Sequence, residues 1–190
     1  MLFRSLLSGG SNYGGWQEGD LAIAYIQNGT NAYPTQDNGG QWKYIPNSAI
    51  YSSHGYWLQA FYKVLKQGDS NFYFTESSGG VHIVILRGAS EVTAVGTVNR
   101  YGASTNPGTV VFTGITKASN SKALLGMISN RYPYAGTNPT GWTTAGTAGW
   151  TYFYVNSAWI DSSSYTNGTD ITFGIPYTGY YTTGILLEVT

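Results

Sequence analysis

Short apolar and aromatic runs recur about every 10 to 15 residues along this chain, and turn-forming residues separate them. Gly, Asn, Asp and Pro stand between the runs, as in Asn28-Gly29, Gly68-Asp69 and Asn106-Pro107-Gly108. The clearest runs are 20–26, 42–45, 81–86, 109–115, 150–155, 170–175 and 184–189. Many short strands with such punctuation predict an all-β fold. We expect an antiparallel β-sandwich, jelly-roll-like, with little or no helix.

The segment from Tyr56 to Lys66 fits two periods. At a period of 3.6 its apolar residues form one helical stripe, and at a period of two they alternate as in a strand. Its aromatic residues and its all-β surroundings favour the strand.

Composition excludes several classes of protein. Charged residues make up 9% of the chain, against roughly 25% in an average globular protein. Nine cations balance nine acids, so the surplus of positive charge that nucleic acid requires is missing. The chain has no cysteine, which excludes disulfide-stapled and cysteine-rich zinc domains. Hydrophobic residues reach 42%, which is ample for a folded core.

No shift in composition marks a domain boundary. We predict a single β-sandwich domain over residues 19–190, preceded by an N-terminal docking segment or first strand over residues 1–18. The apolar start is too short for a signal peptide, and Arg4 interrupts it. No run of 18 apolar residues exists, so we expect no membrane partner.

Residues that could carry catalysis have simpler interpretations. Asp20 and Asp69 stand beside glycines and are interpreted as turn residues. His54 lies in a turn, and His82 alternates with apolar residues, which predicts a neutral, hydrogen-bonded imidazole in a packed layer. The sequence has neither a Gly-x-Ser-x-Gly elbow nor metal-ligand spacing of histidines. We therefore predict no catalytic residue, no metal and no cofactor.

Aromatic residues near turns are the candidate binding residues. Tyrosine and tryptophan bury a large area at low entropic cost, so on loops they stack on sugars or anchor protein interfaces. The predicted partner interface consists of Tyr13, Trp16, Tyr132, Tyr134, Trp142, Tyr177, Tyr180 and Tyr181. Low charge supports this prediction, because a solitary domain usually presents more charged residues for solubility.

The segment 99–108 resembles the segment 130–139. Each begins Asn-Arg-Tyr after an apolar stretch and reaches an Asn-Pro turn. A single pair does not make a repeat architecture, so we expect two similar loops at one end of the sandwich.

The order of several short motifs resembles a group of small β-sandwich proteins and domains found in virion modules of tailed bacteriophages. These motifs are Gly19-Asp20-Leu21, Gly40-Gln41-Trp42, Phe61-Tyr62-Lys63-Val64, Gly68-Asp69, the strand 81–86 followed by Arg87-Gly88, Pro139-Thr140-Gly141-Trp142-Thr143, and 184–189. The resemblance covers most of residues 19–190 and implies a structural role in the virion without naming a site.

The expected function is that of a virion structural protein, assembled in the host cytoplasm. It is expected to be a capsid decoration, cement or knob protein that binds phage capsid or tail proteins, as a homo-oligomer such as a trimer. The alternative is a tail-tip or tail-fibre module that recognises host surface glycan. A third hypothesis is a hydrolase that acts on cell-wall polysaccharide. Its only support is that β-sandwiches of this kind sometimes carry a hydrolase activity.

Overall fold

A computed structural model describes residues 2–6, 16–28, 35–36, 42–51, 57–69, 74–75, 80–100, 108–131, 135–149, 153–175 and 182–190. Its strands are β1 (Leu2–Leu6), β2 (Leu21–Asn28), β3 (Thr35–Gln36), β4 (Lys43–Tyr44), β5 (Ile50–Tyr51), β6 (Trp57–Val64), β7 (Phe74–Thr75), β8 (Gly80–Arg87), β9 (Val92–Arg100), β10 (Gly108–Phe112), β11 (Ala123–Arg131), β12 (Thr143–Gly149), β13 (Phe153–Asp161), β14 (Ile171–Ile175) and β15 (Thr182–Val189). The helical content of the described residues is one 3₁₀ turn, Ser162–Ser164.

Two antiparallel sheets pack face to face. The first sheet has the order β1-β8-β2-β6-β4, with β5 also paired to β6, and the second has the order β12-β13-β11-β15-β9. One core cluster draws residues from both sheets. The prediction of an antiparallel β-sandwich with little or no helix is confirmed.

Strand β2 occupies the centre of the first sheet, and both of its faces are buried. Leu21, Ile23 and Tyr25 point between the sheets, and the Tyr25 hydroxyl donates to the carbonyl of Ile185 at 3.0 Å. Ala22 and the residues alternating with it pack in a second cluster on the outer face. The sheet is therefore covered on both sides, which explains the unbroken apolar run in this part of the sequence.

A two-stranded antiparallel layer, β10 with β14, covers the outer face of the second sheet. The rings of Phe112 and Phe173 rest where that sheet carries glycine. A Cβ on Gly126 would lie 2.5 Å from Phe173 Cζ, and a Cβ on Gly184 would lie 2.9 Å from Phe112 Cζ. These glycines allow aromatic rings to approach the backbone of the sheet.

Several strands differ from their predicted bounds. The ambiguous segment 56–66 contains a strand, β6, so the helical alternative is wrong. The strand predicted at 150–155 is described only from Phe153 and continues to Asp161. The strand predicted at 109–115 ends at Phe112. The prediction omitted the long strands β9, β11 and β12 and the two-residue strands β3, β5 and β7. Strand β12 consists of Thr, Ala and Gly, a composition that reads as turn.

The two ends of the sandwich differ in composition. We call one the ionic end, where Leu21, Arg87, Ala123 and Val189 begin or end their strands. The sheets join there, because the Lys122 ammonium donates to the Gly88 carbonyl at 2.8 Å. Twelve charged residues lie at or beside this end: Glu18, Asp20, Lys63, Lys66, Asp69, Arg87, Glu91, Lys117, Lys122, Asp161, Asp170 and Glu188.

We call the opposite end the tyrosine end. Strands β9 and β11 end there at Arg100 and Arg131, and β15 begins there at Thr182. Thr182 pairs with Arg100 on one side and with Asn130 on the other. The similar segments 99–108 and 130–139 therefore leave the same end of one sheet, as their internal similarity predicted.

Candidate functional site

Six of the predicted interface residues, Tyr13, Tyr132, Tyr134, Tyr177, Tyr180 and Tyr181, lie outside the described residues. The structure describes the other two, Trp16 and Trp142, and places them on opposite outer faces of the sandwich. Trp16 is partly buried against the outer cluster of the first sheet. It therefore contributes to packing as well as to the surface.

Trp142 ends a segment, residues 135–142, that crosses the outer face of the second sheet between β11 and β12. We call this segment the strap. The Trp142 indole packs edge-to-face on Phe173, with ring centroids 5.9 Å apart. A turn places it there, since its backbone N–H donates to the Pro139 carbonyl at 3.1 Å and Gly141 adopts a φ of 83°.

The strap is fixed to its neighbours at two points. Thr137 and Gly174 of β14 exchange backbone hydrogen bonds of 2.9 and 3.0 Å. Asn138 accepts a bond of 2.7 Å from the Asn156 amide and donates one of 2.7 Å to the Thr144 hydroxyl. These bonds fix the strap to β12, β13 and β14.

A cleft of about 550 Å³ lies between the strap, β14 and the loop 162–170. This volume falls within the roughly 300–1,000 Å³ of small-molecule sites. Its lining consists of Thr109, Thr137, Asn138, Pro139, Thr140, Trp142, Ile160, Ser164, Tyr165, Thr166, Thr169, Asp170, Ile171, Thr172 and Gly174. The cleft thus combines hydroxyl side chains with an indole and carries one ionisable carboxylate.

Two hydrogen-bonded groups shape the loop side of this cleft. The buried Tyr165 hydroxyl lies 3.0 Å from the Ile115 carbonyl and 2.6 Å from the Thr169 carbonyl. Burial and the nearby Asp170 charge raise the pKa of Tyr165, so the phenol stays protonated. One oxygen of Asp170 accepts the Gly114 N–H at 3.3 Å. The Asp170 side chain is otherwise exposed.

At the ionic end, acids predicted as turn residues also form ion pairs. Asp20 accepts the Gln17 N–H at 2.8 Å and pairs with Arg87 at 3.1 Å. Asp69 accepts the Lys66 N–H at 2.8 Å and pairs with Lys63 at 2.6 Å. Partial burial raises the pKa of Asp69, but the bonds from Lys63 and Lys66 outweigh it, and the pKa lies below its usual value.

Towards the tyrosine end, the interior between the sheets contains neutral polar groups. The His82 Nε2 lies 2.9 Å from the Ser157 hydroxyl, which donates to the Gly146 carbonyl at 3.0 Å. His82 is therefore the donor in the first bond, and its Nδ1 has no partner among the described residues. Burial lowers the His82 pKa to about 4. The predicted place of His82 in a packed layer, with a hydrogen bond, is confirmed, and its lowered pKa favours the neutral form.

This Ser–His pair is not arranged for nucleophilic catalysis. Both side chains are fully buried, and the serine proton is directed at a backbone carbonyl. Within the described ranges, no group of three His, Cys, Asp or Glu side chains is placed to hold a metal ion. The described helical segment is three residues long, and no described helix could cross a bilayer.

Comparisons with protein-family models, with curated proteins and with solved structures found no match to this chain.

Sequence reasoning placed Trp142 among candidate binding residues but missed the rest of the cleft. The missed residues are mostly threonines and serines, which are abundant throughout the chain and carry no local signature. One signal was present in the sequence. Gly126 interrupts an apolar strand, and such a glycine indicates that another group approaches the backbone closely.

Proposed function

We propose that this chain is a bacteriophage virion structural protein, a capsid decoration, cement or knob protein that binds neighbouring capsid or tail proteins through its tyrosine end. The observation that carries the proposal is that the segments leaving the second sheet and the outer layer at the tyrosine end are rich in tyrosine and lack charge, whereas twelve charged residues lie at or beside the other end. The resemblance to phage virion modules supports a role in the virion. The difference between the two ends supports docking through the tyrosine end.

Four segments outside the described residues adjoin the tyrosine end of the second sheet and the outer layer: 101–107, 132–134, 150–152 and 176–181. Together they contain seven tyrosines and Trp150, and they contain no charged residue. Their other residues are chiefly Gly, Thr, Pro, Ser and Asn. Protein-binding loops are similarly rich in tyrosine with small polar residues.

The charged residues at the described borders of these segments are Arg100 and Arg131. Arginine is enriched in protein interfaces with tyrosine and tryptophan, whereas lysine, aspartate and glutamate are depleted. The composition of this end therefore favours a protein partner over exposure to bulk water.

A repeated, symmetric partner fits this arrangement. Docking by one end leaves the ionic end exposed, and its charged groups are suited to hydration. Homo-oligomers such as trimers form where one patch meets its neighbour around a closed symmetry axis.

The test uses phage particles that lack this protein. Purified chain is added back, and binding is measured by co-sedimentation and by averaged cryo-electron microscopy of heads and tails. We expect stoichiometric binding to the particle. The Y180S/Y181S and R131A variants should weaken binding about 100-fold, because they remove interface anchors.

Lys66→Ser at the ionic end is the matched control and should bind like the natural chain. The docking proposal fails if the natural chain does not bind such particles. The assignment of the tyrosine end fails if Lys66→Ser weakens binding as much as the tyrosine variants do.

A second candidate function is that of a tail-tip or tail-fibre module that recognises host surface glycan. The specific observation that favours it is the cleft beside Trp142, which pairs an indole with hydroxyl side chains. Soluble chain should then compete with phage for adsorption to host cells.

A further inference from the structure

We propose that the cleft between the strap and the loop 162–170 is a binding site for a neutral saccharide of one or two rings. The proposal rests on the second candidate function for its biological role, and it adds the site and the ligand class. Binding by the isolated chain can be tested without a virion.

The hydrogen-bonding groups of the cleft fit a polyhydroxylated ligand. Thr109, Thr140 and Thr172 are exposed in the lining and make no side-chain hydrogen bond to another described residue. A threonine hydroxyl can donate and accept at once, as a sugar hydroxyl does. Each can therefore replace a water molecule on a sugar hydroxyl without leaving an unpaired donor.

The apolar part of the lining fits the C–H face of a pyranose. Trp142 and Ile160 are partly exposed and contribute carbon surface among the hydroxyls. Phe173 supports the indole of Trp142 from beneath, so the ring is held rather than free to rotate. A fixed aromatic side chain binds an apolar ligand face with little further loss of entropy.

The charge of the cleft selects among saccharides. Asp170 is the one charged side chain in the lining, and no cation lines the cleft among the described residues. A carboxylate repels sialic and uronic acids and accepts hydrogen bonds from hydroxyls. One Asp170 oxygen is bonded to Gly114, and the other has no partner among the described residues. It can accept one or two sugar hydroxyls.

Hydrogen bonds within the protein fix both walls of the cleft. The strap is bonded to Gly174, and the Asn138 amide is used for Asn156 and Thr144 rather than for a ligand. On the opposite wall, Tyr165 bonds two backbone carbonyls. A site held this way binds without reorganisation, which distinguishes it from a groove between mobile loops.

The experiment uses the purified full chain. Saturation-transfer NMR and titration calorimetry measure binding of the methyl glycosides of glucose, galactose, mannose and N-acetylglucosamine, and of lactose. N-acetylneuraminic acid and glucuronic acid serve as the anionic set. We expect at least one neutral sugar to bind and the anionic sugars to bind more weakly.

Variants locate the site. Trp142→Ala should weaken binding about tenfold or more, whereas Trp16→Ala, on the opposite face, should not change it. Asp170→Asn should reduce the preference for neutral over anionic sugars, an effect that a change in packing alone would not produce. Because Trp142 packs on Phe173, Thr172→Val provides an independent test on an exposed position and should also weaken binding.

Three results would overturn the proposal: no neutral sugar binds at millimolar concentration, the anionic sugars bind more tightly, or the Trp142 and Thr172 variants bind like the natural chain. If sugars bind at this cleft but soluble chain does not block adsorption, the site stands and the receptor-binding function fails. If adsorption is blocked while the cleft variants remain fully active, the receptor-binding function stands and this site fails.

Discussion

The two ends of the sandwich satisfy their polar groups in different ways. At the ionic end, Asp20 and Asp69 each combine a backbone hydrogen bond with an ion pair. Towards the tyrosine end, the interior polar groups are neutral, as in the His82–Ser157 pair and the bond between Ser129 and Gln27. At the ionic end, charged groups thus satisfy one another and the backbone, whereas hydroxyl, amide and imidazole groups do so towards the tyrosine end.

The buried polar atoms without a partner follow the same division. Six such side-chain atoms occur among the described residues, and five belong to Trp57, His82, Asn130 and Thr183, towards the tyrosine end. The sixth is the hydroxyl of Ser121, at the ionic end. Unpaired buried groups are rare in folded proteins and call for an explanation.

The largest stability effect is expected from Arg87→Met. Asp20 is 4% exposed, so removing its cation leaves a buried carboxylate without an ion-pair partner. Arg87 itself is partly exposed, but leaving the buried Asp20 carboxylate without its cation is strongly destabilising, and we expect the melting temperature to fall by roughly 10 °C. Differential scanning calorimetry measures this change.

Lys66→Met changes an exposed cation at the same end and should leave the melting temperature nearly unchanged. Both variants should bind particles normally once folded. A loss of binding in Arg87→Met at temperatures where it is folded would contradict the division of roles between the ends.

The second prediction concerns stability in acid, where protonation of His82 places a charge in the neutral interior. The His82 pKa is about 4 in the folded chain and about 6.5 in an unfolded one, so the unfolded state binds more protons between these values. The contribution of neutral His82 to the free energy of unfolding is therefore fully present above pH 6.5. It falls by about 3 kcal/mol as the pH decreases to 4. Urea unfolding at several pH values measures the slope.

His82→Gln is the matched variant, since its amide can donate to Ser157 but does not titrate. It should remove most of the slope between pH 6.5 and 4. Asp69 has a lowered pKa, and its contribution is lost only as the pH falls through that lower value. An unchanged slope in His82→Gln would show that the histidine is not the titrating group.

Much of the fold followed from the sequence because period-two alternation and turn residues are local signals. The central strands β2 and β8 were predicted nearly to their ends, and Gly68 and Gly168 occupy turns with positive φ. Strands β11 and β12 were missed because glycines interrupt them. In β11, Gly126 makes room for the ring of Phe173, and the sequence pattern does not show which distant residue approaches it.

The candidate site was less predictable than the fold. Trp142 was identified by its place beside a turn, but its partners in the cleft come from β10, β13, β14 and the loop 162–170. These segments are distant in sequence and meet through the pairing of β10 with β14, the bridge between Thr137 and Gly174, and the bond from Asn156 to Asn138. The cleft therefore depends on how the chain folds back on itself. In the sequence, Asp170 has no feature that separates it from other acids beside turns.

The smallest effect is expected from Thr183→Val, which tests the neutral interior without adding charge. The Thr183 hydroxyl is buried and has no partner among the described residues, so replacing it with a methyl group removes an unsatisfied polar atom. We expect the free energy of unfolding to rise by about 1 kcal/mol.

Ser48→Ala is the matched control, because the Ser48 hydroxyl donates to the Ala60 carbonyl and accepts its N–H. That variant should instead lose about 1–3 kcal/mol in urea unfolding. If Thr183→Val destabilises the chain as much as Ser48→Ala does, the Thr183 hydroxyl has a partner in the folded protein.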